Sequence, residues 1–97
     1  MKPMGPIPPA FAGQDRLTLA GRDAVEMADA LGTPLFVYDF GVVAANLARL
    51  RAAMPGRVEI HYAIKANPMP ALLAAMAPLV DGLDVASEGE LTRALAV

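Results

Sequence analysis

The chain has 97 residues, 56% of them apolar, and a formal net charge of -2 from 8 basic and 10 acidic side chains. That is enough for one small domain and too apolar for a disordered tail, and the scattered charges, with no basic cluster, argue against a nucleic-acid partner. With no cysteine and one histidine, neither a disulfide framework nor a metal cluster can be assembled, so no metal site is expected.

The opening Met1-Lys2-Pro3-Met4-Gly5-Pro6-Ile7-Pro8-Pro9 carries one positive charge, but proline interrupts any continuous apolar stretch, so it does not read as a signal peptide. Residues 1 to 13 are rich in proline and glycine and read as an extended arm. Leu17-Thr18-Leu19 alternates like a short strand closed by Gly21, after which Asp23 can cap a helix with Ala24, Met27, Ala28 and Leu31 on one face. Gly32 ends that helix, and Thr33-Pro34 should keep the chain extended.

An apolar run, Leu35 to Tyr38, leads to Asp39 as N-cap and to a helix with Val43, Leu47, Leu50 and Met54 at helical spacing, stopped by Pro55-Gly56. Residues 57 to 65 alternate like a strand, with Val58, Ile60, Tyr62 and Ile64 on one side and Glu59, His61, Ala63 and Lys65 on the other. A helix is expected over 69 to 77, with Pro70 in its first turn and Leu72, Leu73 and Met76 on its buried face. A second strand, Leu83 to Ser87, leads into a last helix that carries Leu91, Ala94 and Leu95 on one face. The uncharged run from Pro68 to Val80 contains three prolines and is too short for a bilayer, so neither a membrane partner nor a span is expected and a cytoplasmic address is the default.

Helix, strand, helix, strand, helix with short connections is the pattern of a parallel α/β arrangement. Much of the apolar content is alanine, which buries little area, and two parallel strands close no barrel, which takes about 250 residues. The chain therefore reads as the N-terminal part of something larger, with residues 1 to 34 an arm and lead-in segment and residues 35 to 97 the first β/α units.

Lys65 stands out chemically. The only other lysine is Lys2, and the remaining six basic residues are arginine. A lysine ending an apolar strand would sit where barrel enzymes collect catalytic groups, and partial burial there favours the neutral amine that attacks carbonyls. On the residues alone the plainer reading, a lysine ending a strand and reaching into water, is the favoured one.

Three blocks alter that balance. Thr33-Pro34-Leu35-Phe36-Val37-Tyr38-Asp39, Tyr62-Ala63-Ile64-Lys65-Ala66-Asn67-Pro68 and Gly82-Leu83-Asp84-Val85-Ala86-Ser87-Glu88-Gly89-Glu90-Leu91 together resemble the opening of the fold-type III decarboxylases, the diaminopimelate, ornithine and arginine decarboxylase family. The resemblance covers roughly residues 33 to 95. It implies an alanine-racemase-like (β/α)8 barrel whose first residues join a β-rich second domain, pyridoxal 5'-phosphate as cofactor, a small-molecule amino-acid substrate, and a homodimer with shared active sites. Lys65 would hold the cofactor as a Schiff base. Ala63 would lie against the cofactor ring, Asp84 would stand near Lys65 one strand-helix repeat later, and Glu90 would lie close to the site.

Structural readings stand beside these. Asp84 can pair with a nearby arginine or backbone donor, and Ser87-Glu88-Gly89-Glu90 is also a capping box, with Ser87 as N-cap and Glu90 reaching back to its backbone N–H. His61, deeper on the face of Lys65, reads as a satisfied interior histidine, Glu59 as a hydrogen-bonding group deeper still, and Tyr62 as facing the helices. The resemblance puts the phosphate site, the ring-nitrogen acid and the partner-subunit contacts beyond Val97, so these residues alone should be inactive.

Two other readings remain open. An alanine-racemase-like enzyme shares a Lys-Ala-Asn block but continues differently from Pro68-Met69-Pro70, and a cofactor-less regulatory homologue would act as a binding protein. The opening residues also resemble an exosortase-associated subgroup of the decarboxylases.

Overall fold

A computed structural model describes residues 5–97, so the first four residues of the proline-rich arm, and the subgroup resemblance that begins on them, lie partly outside the described residues. The chain divides into two compact units, one reaching to Asp39 and the other running from Phe40 to Val97.

In the first unit a short 3-10 turn, Pro9–Phe11, precedes a two-stranded antiparallel ribbon of β1 (Thr18–Leu19) and β2 (Arg22–Asp23). Ala20 and Gly21 join them, both at positive φ (52° and 75°), the backbone that two-residue hairpins need to follow the strand twist. Asp23 then caps α1 (Ala24–Leu31) as expected, its Oδ1 accepting from Val25 N at 2.9 Å and Glu26 N at 3.1 Å. Gly32 closes the helix at φ 84°, with its N–H on Ala28 O. The chain bends at Thr33-Pro34, whose peptide bond is cis, where extension was expected.

Asp23 is doubly committed, because Arg16 Nε and Nη2 also donate to its two carboxylate oxygens at 2.6 and 3.1 Å. The Arg16 guanidinium, followed by the capped Glu26 N–H, lowers the Asp23 carboxyl from its usual 3.8 to about 2. A carboxylate lowered on folding stabilises the folded state above its unfolded value and loses that contribution as pH falls through its folded value. The helical signal should therefore decline between pH 3.8 and about 2. Asp23→Asn, which keeps a cap but no charge, should lose this acid-sensitive step in circular dichroism; an unchanged titration would count against the pairing.

The second unit is a βαβ arrangement with flanking helices. Its elements are α2 (Phe40–Ala53), β3 (His61–Ala63), α3 (Pro70–Met76), β4 (Gly82–Asp84) and α4 (Glu88–Leu95). Strands β3 and β4 are parallel neighbours, with His61 opposite Gly82, Tyr62 opposite Leu83 and Ala63 opposite Asp84. This is the α/β class expected. Pro70 opens α3, where its missing N–H has no helical partner to lose. All three residues expected on the buried face of α3 are buried: Leu72, Leu73 and Met76, with Leu73 and the strand-end Ile64 at 0% exposure.

Both strands are shorter than the alternation predicted, for local reasons. Below β3, the N–H of Ile60 donates at 2.7 Å to the side-chain Oδ2 of Asp81 instead of a neighbouring carbonyl. Above it, Ile64–Ala66 winds into a 3-10 turn, with Asn67 N donating to Ile64 O at 3.1 Å. Strand β4 ends at Asp84 because the N–H of Ala86 is taken by Glu90 Oε1 at 3.2 Å.

At the lower end of the strands Asp81 also accepts from Arg51 Nη1 at 3.0 Å, and Arg51 Nη2 donates to Leu79 O at 2.9 Å. The Ile60 N–H first, and Arg51 second, hold the Asp81 carboxyl below its usual range. This clasp ties the last turns of α2 to the starts of β3 and β4. Facing the helices, Tyr62 lines an apolar cleft of about 330 Å³ with Val43, Leu47, Leu50, Leu72 and Met76, as its place on the strand predicted. No helix among the described residues is long and apolar enough to cross a membrane.

Candidate functional site

The upper ends of β3 and β4 bring three of the four expected site residues together. In a parallel pair, residues in register share a face, so Ala63 and Asp84 stand side by side at the last rung of the ladder. Lys65 follows two residues past Ala63. The strand alternation that put it on the face of Ala63 stops at Ala63, and Lys65 is carried by the 3-10 turn instead.

That turn is firmly held while its lysine is not. Ile64 fills the core beneath it, α4 packs against it, and Arg93 Nη1 reaches Pro68 O at 3.4 Å. The Lys65 side chain is exposed and, among the described residues, has no hydrogen-bond or ion-pair partner. The partial burial expected for it is not found, because the apolar anchor of the turn is Ile64. Asp84 is exposed too, and among the described residues it has no side-chain partner, so the arginine pairing considered for it is absent.

Glu90 is committed differently. Its N–H donates to Ser87 Oγ at 3.1 Å, while its carboxylate accepts from Ala86 N at 3.2 Å and from Ser87 Oγ at 3.4 Å. Ser87 is the N-cap, as predicted, but Glu90 reaches back to the N–H of Ala86 and not to that of Ser87. The box places Glu90 in the first turn of the helix that packs on the Lys65 turn.

His61 is exposed where an interior histidine was expected. Its Nε2 lies 3.0 Å from Glu59 Oε2, with the two side chains 50% and 73% exposed. The imidazole lies across Gly82: a Cβ built there would stand 2.6 Å from Nδ1 and 2.7 Å from Cε1. Sequence reasoning missed this fit, whose only signal was a glycine opening a strand. Among the described residues no group of three His, Cys, Asp or Glu could hold a metal ion.

Chemically, the arrangement offers an exposed primary amine on a hydrogen-bonded turn, a carboxylate at the end of the neighbouring strand, and a methyl-sized residue in register with that carboxylate. Such a set is chemically able to meet a carbonyl group. A primary amine can attach to an aldehyde, and a carboxylate can exchange protons in such a reaction.

Residues 40–97 match the family described as pyridoxal-dependent decarboxylase, pyridoxal binding domain. The chain is 40% identical over 82 residues to a diaminopimelate decarboxylase of Methanothermobacter thermautotrophicus, covering 81% of this chain and 19% of that protein. A diaminopimelate decarboxylase of Thermoplasma acidophilum is 31% identical over 85 residues, 88% of this chain and 21% of that protein. An ornithine decarboxylase of Leishmania donovani is 37% identical over 62 residues, 64% of this chain and 9% of that protein. The chain spans 19% and 21% of the length of the first two relatives. No solved structure matches it significantly.

Proposed function

Because the chain belongs to the pyridoxal-dependent decarboxylases, through their pyridoxal-binding domain, we propose that in the full-length protein it presents Lys65 as the amine that holds pyridoxal phosphate for the decarboxylation of an amino acid. The observation that carries this reading is the unpartnered Lys65 amine at the upper end of β3 beside Ala63, whose register partner is Asp84. The relatives' names favour a diaminopimelate-like or related basic or diamino acid as substrate, and decarboxylation over racemisation or a purely binding role.

In this reading residues 35 to 97 are the first β/α units of a (β/α)8 barrel, and residues 1 to 34 lead in from a β-rich second domain. The full-length protein acts in the cytoplasm as a homodimer, without nucleic-acid or membrane partners. When bound, pyridoxal phosphate supplies an electron sink for the charge left by loss of the α-carboxylate. Lys65 Nζ holds the group and yields its place to the substrate amine. Asp84, an exposed carboxylate at the end of the adjacent strand, takes and returns a proton during that exchange. Ala63 leaves room for the ring, and Glu90, through its cap, fixes the helix that braces the Lys65 turn.

Borohydride reduction of the cofactor-loaded full-length protein, followed by peptide mapping, tests the assignment. The pyridoxyl group should be found on Lys65, and its recovery on any other lysine would sink the proposal.

A further inference from the structure

The turn that carries Lys65 is closed from the opposite side of the strand. Tyr62 Oη donates to Asn67 O at 3.0 Å in a half-buried setting, bridging the six residues that contain Lys65. Asn67 then works in both directions. Its N–H donates to Ile64 O at 3.1 Å, tightening the turn from within, and its Oδ1 accepts from Met69 N at 3.0 Å, an Asx turn that launches α3 at Pro70.

We infer that Tyr62 and Asn67 are positioning residues for Lys65, holding the backbone of its turn so that a side chain free of partners leaves the strand end in one direction. Tyr62 lines the apolar cleft with Leu47, Leu50, Leu72 and Met76, so its hydroxyl reaches the turn from the face of the strand opposite the site. A flexible lysine loses rotamer freedom when its amine is captured, and a turn that also had to be ordered would add backbone entropy to that loss. The Tyr62 and Asn67 hydrogen bonds have already ordered it. The inference rests on Lys65 being the cofactor lysine.

The experiment uses the full-length protein titrated with pyridoxal phosphate, with borohydride trapping at subsaturating cofactor and the visible absorbance followed against pH. Tyr62→Phe keeps the ring in its cleft and removes only the hydroxyl. It should reduce trapping at Lys65 about tenfold, the worth of one partly buried hydrogen bond, and move the pH midpoint of the absorbance band. Asn67→Ala should act in the same sense, and Asn67→Asp, which keeps the acceptor for Met69 N, should recover most of the loss. Leu72→Ala thins the same cleft without touching Asn67, and should lower the thermal midpoint while leaving the pH midpoint in place.

Equal trapping and equal pH profiles in wild type and Tyr62→Phe, with the label on Lys65, would overturn the positioning role alone. So would a pH shift in Leu72→Ala as large as that in Tyr62→Phe, which would mark the effect as general loosening. Label recovered on another lysine in the wild type would overturn this inference together with the proposed function.

Discussion

Lys65→Ala in the full-length protein is expected to lower kcat/KM by about 10³-fold or more and to abolish borohydride-stable labelling at that position, because no other side chain at the strand ends can replace an amine that bonds to the cofactor. Lys65→Arg should fare no better, since a guanidinium keeps the charge but never becomes a free amine near neutral pH. The fold should persist in both variants. The side chain is exposed and, among the described residues, has no hydrogen-bond or ion-pair partner, so thermal midpoints should stay within the small range of surface substitutions. Loss of activity with unchanged stability separates chemistry from structure. A Lys65→Ala protein that still turned over substrate at near wild-type rate would remove the basis of the proposed function.

Leu73→Ala carries the largest expected effect on stability. Leu73, on α3, and Ile64, in the turn above β3, have no exposed surface. Truncation removes methyl groups that the parallel pair cannot collapse to replace, at about 2–5 kcal/mol by analogy with other buried leucines. Urea unfolding should show it as a lower midpoint. Leu50→Ala, at a position 45% exposed, should cost about half as much by area and less again because it leaves no enclosed cavity, and similar losses at both sites would mean that Leu73 does not sit at the centre of the core.

The sequence was most informative about helices and caps. The apolar spacing of Leu72, Leu73 and Met76 gave the buried face of α3, Asp23 and Ser87 gave two helix starts, and the match of residues 40–97 to the family agrees with the resemblance carried by the three blocks. These are local signals, readable from neighbours in the chain. Strand length was less legible, because a ladder ends where a competing partner takes a backbone group, and here the competitors are the Asp81 side chain at Ile60, the turn at Ile64 and the Glu90 carboxylate at Ala86.

Pairings between distant residues were not legible at all. Arg51 with Asp81, the ring of His61 over Gly82 and the hydroxyl of Tyr62 on Asn67 depend on register and rotamer, which periodicity does not encode. At the expected site, alternation put Ala63 and Lys65 on one strand face, but the strand ends at Ala63, and nothing in Ile64-Lys65-Ala66 announced the 3-10 turn that carries Lys65.

The clasp of Arg51 and Asp81 lies at the start of the two strands, and Lys65 and Asp84 lie at their finish. A parallel pair thus works as a ruler with its fastenings at one end and the proposed site at the other. Such a layout separates the two ends physically: a substitution at Asp81 acts on the fastening of α2 to the strands, and one at Asp84 leaves that fastening in place.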